Sequence, residues 1–172
     1  MHALHERDPV LFDQWVKNAA RALDGLESID TWDRPEDRHR VLRATFRGSH
    51  GEPVPSWGLS DGTLRLLALT LLAYAEEPDS QEILLIEEPE NGLHPLAIQC
   101  VYDALHTMDR SQVFVTSHSP IFLAAAALDD VLVFRREESG RARIVRGPEL
   151  AEAEAWHGRV AVDDLFASGV LS

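Results

Sequence analysis

The chain has 172 residues, of which 45% are hydrophobic and 26% charged, a composition typical of a globular domain with one sizeable core. Its formal net charge of −13 argues against general attraction to nucleic-acid phosphates. No apolar run approaches the roughly 18 residues that a membrane span requires. No secretion signal is recognisable, and the single cysteine, Cys100, excludes an internal disulfide. We therefore expect a cytoplasmic protein without membrane contact.

The first 55 residues predict few regular elements. Asp8-Pro9 can cap and open a helix whose apolar spacing continues to Leu23. Residues 28–40 are polar and predict irregular structure, whereas residues 41–47 alternate like a half-buried strand. Arginines and acids are interspersed in this part of the chain, which predicts an ion-paired, solvated surface.

The rest of the chain alternates helices with short apolar strands. Residues 63–77 are leucine-rich and predict a helix buried on most sides. The wholly apolar run 83–86 predicts a central parallel strand with both faces covered. Further expected elements are a helix from Pro95, a strand at 113–116, a helix to about Leu128, strands at 131–134 and 142–145, and a helix at 162–167. This order predicts an α/β fold with a mostly parallel sheet flanked by helices, which binds ligands beyond the carboxyl ends of its strands.

Two adjacent carboxylates, Glu87 and Glu88, follow the apolar run 83–86. A hydrophobic strand that delivers two carboxylates is the Walker B arrangement, in which one carboxylate supports Mg²⁺ and the next orients or deprotonates the attacking water. We assign Glu87 to the metal and Glu88 to the water. Aspartate is usual at the first position, so Glu87 is a departure. The alternative is a chance cluster of acids at a strand end.

Ser60, Asp61 and Gly62 stand directly before the leucine-rich helix. A hydroxyl and free backbone N–H groups at a helix N-terminus can bind an anion, and glycine lets the backbone approach it closely. Serine and aspartate also cap helices for purely structural reasons. The segment alone therefore leaves anion binding and simple capping both open.

A histidine, His118, leaves the predicted strand at 113–116. From that position its imidazole could hydrogen-bond a γ-phosphate or the attacking water. The chain has eight histidines, so a structural role is the alternative.

In their order and spacing, the three segments resemble the C-terminal half of the RecF/SMC/ABC-like ATPases, in particular bacterial AAA-family proteins related to the OLD and anti-phage defence ATPases. WGLSDGTLRLLAL resembles their signature region, LLIEEPENGLHP their Walker B strand and D-loop, and FVTSHSP their switch loop. The resemblance covers roughly residues 55–172 and implies ATP and Mg²⁺ as cofactors.

The resemblance also implies a role for each matching residue. Ser60 and Gly62 would contact the γ-phosphate of a nucleotide held by a facing subunit, and Asp61 replaces the second small residue of the usual signature. Glu87 would support Mg²⁺ and Glu88 would be the catalytic base. Asn91 would lie in the D-loop, which crosses the dimer interface, and His118 would be the switch histidine. Arg65 fits either a role in positioning the signature helix or a place on the surface.

A Walker A loop, G-x-x-x-x-G-K-[ST], is missing from the sequence. The only lysine, Lys17, lies inside a predicted helix. We therefore interpret residues 1–55 as a remnant helix and strand leading to the signature, and residues 56–172 as an ABC-type C-terminal lobe. The chain would be a fragment or split-gene product, a subunit whose partner supplies Walker A, or a degenerate ATPase.

The expected function is ATP binding and hydrolysis in a site completed by a Walker A-bearing partner, either a second copy or another subunit. The expected setting is DNA-linked or anti-phage defence work, with an indirect link to DNA as a possible partner interaction. The alternative is a non-catalytic interaction module. A nuclease centre built from Glu87, Glu88 and Glu90 is disfavoured, because the flanking motifs favour Walker B.

Overall fold

The computed structural model describes residues 1–76, 81–137 and 139–149, which fall into two compact units that divide after Thr116. The first unit contains α1 (His2–Arg7), α2 (Pro9–Ala19), β1 (Leu26–Asp33), β2 (Arg40–Phe46), β3 (Val54–Pro55), α3 (Asp61–Ala75), β4 (Ile83–Glu87), α4 (Pro95–His106) and β5 (Gln112–Thr116). The second contains α5 (Pro120–Ala125), β6 (Leu132–Arg136) and β7 (Ala142–Arg146). The division falls inside the segment 56–172 that the sequence assigns to one lobe. Within the described ranges, no helix has the length and apolarity to cross a bilayer.

The helix predicted at Asp8-Pro9 is confirmed as α2. The Asp8 carboxylate accepts a hydrogen bond of 2.9 Å from the Leu11 backbone N–H, and Pro9 occupies the first turn, where no N–H partner is needed. The helix ends at Ala19 rather than near Leu23.

The prediction of irregular structure at 28–40 was wrong for most of that stretch. Residues Leu26–Asp33 form β1, which pairs antiparallel with β2, and Leu26 and Ile29 are buried. The register shifts between Leu26 and Ser28, so the inward positions do not alternate as they would in a regular strand. The alternation of apolar and polar residues that identifies a strand in a sequence is therefore absent from β1.

Charged residues on β1 and β2 pair across the strands. Arg40 Nε lies 2.7 Å from Asp33 Oδ1, and Arg43 Nε lies 2.8 Å from Asp30 Oδ1. The hydrogen bond from Arg40 lowers the pKa of the Asp33 carboxyl. These contacts confirm the predicted ion-paired surface.

Helix α3 packs on α2 and α4 through a narrow buried face. Leu66, Leu67 and Thr70 are buried, and the Trp15 indole N–H donates to the Thr70 hydroxyl at 3.0 Å in the core. Most other positions of α3 are partly exposed, so the helix is buried on one face rather than on most sides. Its predicted stop at Pro78 lies outside the described residues.

Strands β4 and β5 form a parallel pair in which Leu85 lies opposite Phe114. The other described pairs are antiparallel. The expectation that the apolar strand has two covered faces was wrong, because alternate residues of β4 and β5 are exposed. Ile83 is 67% exposed, Leu85 77% and Phe114 42%. We call these three residues the bare sheet face.

In the second unit, β6 and β7 form an antiparallel hairpin around a turn at Ser139-Gly140, and they confirm the strands predicted at 131–134 and 142–145 to within two residues. Val131, Val133 and Val145 form a small core there. The helix predicted at 162–167 lies outside the described residues.

Candidate functional site

The candidate site begins where β4 ends. Glu87 is the last residue of β4, and the Glu88 N–H donates to the Thr116 carbonyl of β5 at 2.8 Å. Glu88 has a φ of 42°, in the left-handed region that non-glycine residues rarely adopt. Such backbone strain costs on the order of 1–3 kcal/mol and is common at functional sites.

A tight turn then holds the Glu88 side chain. The Asn91 side-chain amide donates to Glu88 Oε2, and the Asn91 backbone N–H donates to the Glu88 carbonyl at 3.1 Å. Gly92 follows with a φ of 74°, and Pro89 inside the turn is fully buried. We refer to residues 88–92 as the acidic turn. The residue predicted for the D-loop thus contacts the predicted base within the same chain.

Glu87 is exposed at the carboxyl end of β4, opposite Thr116 of β5. Mg²⁺ in nucleotide sites is held by one or two carboxylates, with phosphates and water completing an octahedron. An exposed carboxylate beside a threonine is a donor set that fits such an ion. Phosphate ligands would have to arrive with the nucleotide.

Ser60 is the N-cap residue of α3. Its hydroxyl accepts from the Thr63 backbone N–H at 3.1 Å and lies 2.9 Å from the Thr63 hydroxyl. Ser60 and Asp61 both remain exposed. The capping alternative is therefore confirmed as a structural role, and it is compatible with anion binding because the exposed helix start keeps free N–H groups.

Gly62, the second residue of α3, lies against the acidic turn. A methyl group at this position would stand 2.5 Å from the Gly92 carbonyl oxygen. Real side-chain carbons do not approach backbone oxygen so closely, so only glycine fits. The signature segment and the predicted D-loop thus meet at backbone distance.

Arg65 makes a second connection between the same two segments. Its Nη2 donates to the Glu88 carbonyl at 2.8 Å and lies 3.4 Å from the Glu87 carbonyl. This contact favours the positioning role over the surface role that the sequence left open for Arg65. An arginine on a helix is too common for sequence alone to single it out.

His118 is an exposed residue of the second unit, two positions after β5 ends. Beside it, the Ser119 N–H donates to the Ser117 hydroxyl at 3.1 Å, and Ser119 caps α5. In the first unit, the start of α3 with Ser60, Asp61 and Gly62 lies against the acidic turn with Glu88 and Asn91, and Glu87 directly precedes that turn at the end of β4. Lys17 lies in α2, as predicted.

Solved structures with the same fold are heads of SMC ATPases. A chain from a study of ATP-driven dimerization and DNA-stimulated activation of SMC ATPases matches with a TM-score of 0.60 and 15% identity, over 93% of this chain and 99% of its own length. An Smc head bound to the C-terminal winged-helix domain of ScpA matches with a TM-score of 0.62 and 18% identity, over 86% of this chain and 44% of that one. The Smc head domain from Pyrococcus yayanosii matches with a TM-score of 0.56 and 17% identity, over 86% and 29%.

The fold is accordingly α/β, of the P-loop NTPase type found in ABC-like and SMC heads. Residues 5–124, more than half of the chain, match the family described as "AAA domain, putative AbiEii toxin, Type IV TA system", and the chain belongs to that family. It is also similar to the Old nuclease of Escherichia phage P2, with 30% identity over 89 residues. That alignment covers 46% of this chain and only 15% of the phage protein.

Proposed function

We propose that this chain supplies the signature, the metal-supporting carboxylate and the catalytic base of ABC-type ATPase sites, and that a Walker A-bearing partner completes them. The observation that supports this most strongly is the contact between the start of α3 and the acidic turn, beside the carboxyl end of a parallel strand pair. Ligands of open α/β sheets bind at such an edge.

Each residue has a task in this proposal. ATP supplies the phosphoryl group and Mg²⁺ neutralises developing charge. Glu87 supports the metal, and Glu88 orients or deprotonates the attacking water. Ser60, Asp61 and Gly62 present the start of α3 to the γ-phosphate of a nucleotide held by the facing subunit. Asn91 lies at the dimer interface, and His118 hydrogen-bonds the γ-phosphate or the water.

The need for a partner is supported by the bare sheet face. Parallel sheets are normally covered on both faces, and a two-stranded pair is marginal alone. Leu85 is 77% exposed in the middle of β4, on the same face as the Glu87 carboxylate. A lobe that carries Walker A would cover this face and place the phosphates of its bound ATP beside Glu87. The partner is a second copy of a longer chain or a separate subunit.

The biological setting is proposed from the relatives. We propose DNA-linked or anti-phage defence work in the cytoplasm, and the similarity to a phage nuclease supports the link to nucleic acid. The chain covers 15% of that protein, so the nuclease activity of that protein is not carried over to this chain. The competing function is a non-catalytic interaction module. In such a module, Ser60 would serve only as the N-cap of α3.

Calorimetric titration of the purified chain with MgATP tests the half-site proposal first. We expect no binding at millimolar nucleotide, because no P-loop is present in the sequence. Clear binding that is lost in Glu87→Ala would contradict the need for a partner.

The second test uses a complex of the chain with a Walker A-bearing protein, captured by co-purification. We expect Glu88→Gln to slow ATP hydrolysis at least about a hundredfold while ATP-dependent association persists. Glu82→Gln, at an exposed position just before β4, is the matched control. Unchanged turnover in Glu88→Gln would favour the non-catalytic module.

A further inference from the structure

Two separate contacts join the start of α3 to the acidic turn. One is the backbone approach of Gly62 to the Gly92 carbonyl. The other is the hydrogen bond from Arg65 Nη2 to the Glu88 carbonyl at 2.8 Å. Arg65 lies more than one helical turn beyond the cap residue Ser60, so its side chain bridges the first turns of α3 to the turn that carries Glu88.

The Glu88 peptide depends on its hydrogen bonds because it is strained. A φ of 42° persists only where the surroundings fix it. The Glu88 N–H is fixed by the Thr116 carbonyl, and the Glu88 carbonyl accepts from both Arg65 and the Asn91 N–H. Arg65 is the charged donor of this set, and hydrogen bonds from charged groups are the stronger ones.

We propose that Arg65 is a positioning residue that couples the start of α3 to the Glu88 peptide, so that a displacement of the signature helix reorients the Glu88 carboxylate. The coupling gives the proposed ATPase a route by which nucleotide contact at Ser60 adjusts the base. Its functional meaning therefore rests on the proposed function, whereas the coupling itself is a property of this chain alone.

The hydrogen bonds around Glu88 show how a change at Arg65 would reach the Glu88 carboxylate. The Glu88 carboxylate is held by the Asn91 side-chain amide, and Asn91 in turn donates its backbone N–H to the carbonyl that Arg65 binds. Loss of Arg65 would leave the strained peptide with one donor fewer at its carbonyl. The peptide would then relax, and the contact between Glu88 and Asn91 would loosen with it.

Nuclear magnetic resonance of the ¹⁵N-labelled full chain tests the coupling without ATP. The signals to follow are the Asn91 side-chain amide, assigned by its absence in Asn91→Ser, and the Asn91 backbone amide. In Arg65→Gln we expect the Asn91 side-chain shifts to move toward free-amide values. We also expect exchange of the Asn91 backbone amide to accelerate at least about tenfold.

Arg65→Lys should bring the Asn91 side-chain shifts and the Asn91 amide exchange rate part of the way back to their wild-type values, because a lysine can donate to one carbonyl. Arg110→Gln, at an arginine in the loop after α4, should leave the Asn91 signals unchanged. Intrinsic tryptophan fluorescence and the α3 amide signals verify that each variant is folded. Should Arg65→Gln fail to fold, Arg65→Lys alone gives the answer, since its Asn91 signals must still differ from wild type. Wild-type Asn91 signals in a folded Arg65 variant would overturn the proposal.

A double variant tests the direction of transmission. Ser60→Ala removes the cap of α3, and we expect it to accelerate Asn91 exchange when Arg65 is present. In the Arg65→Gln background, Ser60→Ala should add little further change. Fully additive effects would show that the cap and Arg65 act independently and would overturn the coupling. Failure of ATP hydrolysis in every complex would reject the proposed function and leave these outcomes as they stand.

Discussion

Gly62 and Gly92 approach so closely that a methyl group on Gly62 would lie 2.5 Å from the Gly92 carbonyl oxygen. The two residues come from segments that the sequence assigns separately to a signature and a D-loop. Their contact means that the start of α3 and the acidic turn cannot move independently at this point.

The first prediction concerns Gly62→Ala. At an unconstrained helix position, replacing glycine by alanine stabilises by roughly 0.5–1 kcal/mol. Here the added methyl clashes with backbone, so we expect the free energy of unfolding to fall by about 1–3 kcal/mol. Urea denaturation measures it. Asp61→Ala, at the neighbouring exposed position, is the control, and a stabilised Gly62→Ala would show that the turn moves aside freely.

Backbone strain at Glu88 is tested by a pair of variants. Glu88→Gly and Glu88→Ala both lose the carboxylate and its contact with Asn91, so their difference reports the cost of the positive φ. Because only glycine adopts φ of 42° without penalty, we expect Glu88→Gly to be more stable by about 1 kcal/mol. Equal stability in urea denaturation would mean that the strain is absent.

The bare sheet face is tested by comparing two leucines. Leu85 is 77% exposed, so Leu85→Thr should change the free energy of unfolding by less than about 0.5 kcal/mol. Leu67 is 2% exposed, and Leu67→Thr should cost at least about 2 kcal/mol. We also expect Leu85→Thr to weaken fluorescence from an apolar dye on the folded chain. A large loss of stability in Leu85→Thr would show that this face is already packed.

Cys100 gives a prediction on pH. Its thiol is 4% exposed on α4 and donates to the Asn18 carbonyl at 3.5 Å, and burial raises the pKa of the Cys100 thiol. A raised pKa in the folded state means that stability is fully present below the ordinary thiol pKa and is lost as pH rises. The free energy of unfolding should therefore decline above about pH 9.

Urea denaturation of wild type and Cys100→Ala across pH 8–10 isolates that contribution, since the variant should lack the decline over this range. Burial also raises the pKa of Tyr74, which contributes only at higher pH. Equal slopes in the two proteins would contradict the assignment to Cys100. Labelling by a thiol reagent should likewise be slow until urea unfolds the chain.

The sequence by itself determined the elements whose local signals are strong. Asp8-Pro9 predicts α2 because a capping carboxylate and a proline both favour a helix start. The apolar runs before Glu88 and before His118 predict β4 and β5. It also determined the family, since the signature, the acidic pair and the switch segment stand in a specific order, and the match over residues 5–124 confirmed it.

Other features depend on partners distant in the chain, which no local pattern encodes. Strand β1 was missed because the register shift at its start hides the alternation of its buried residues. The coverage of β4 was mispredicted because an apolar run does not reveal which elements pack on it. The φ of Glu88, the approach of Gly62 to Gly92 and the reach of Arg65 were decided only by tertiary structure. Each requires two segments to be folded against one another before the geometry exists.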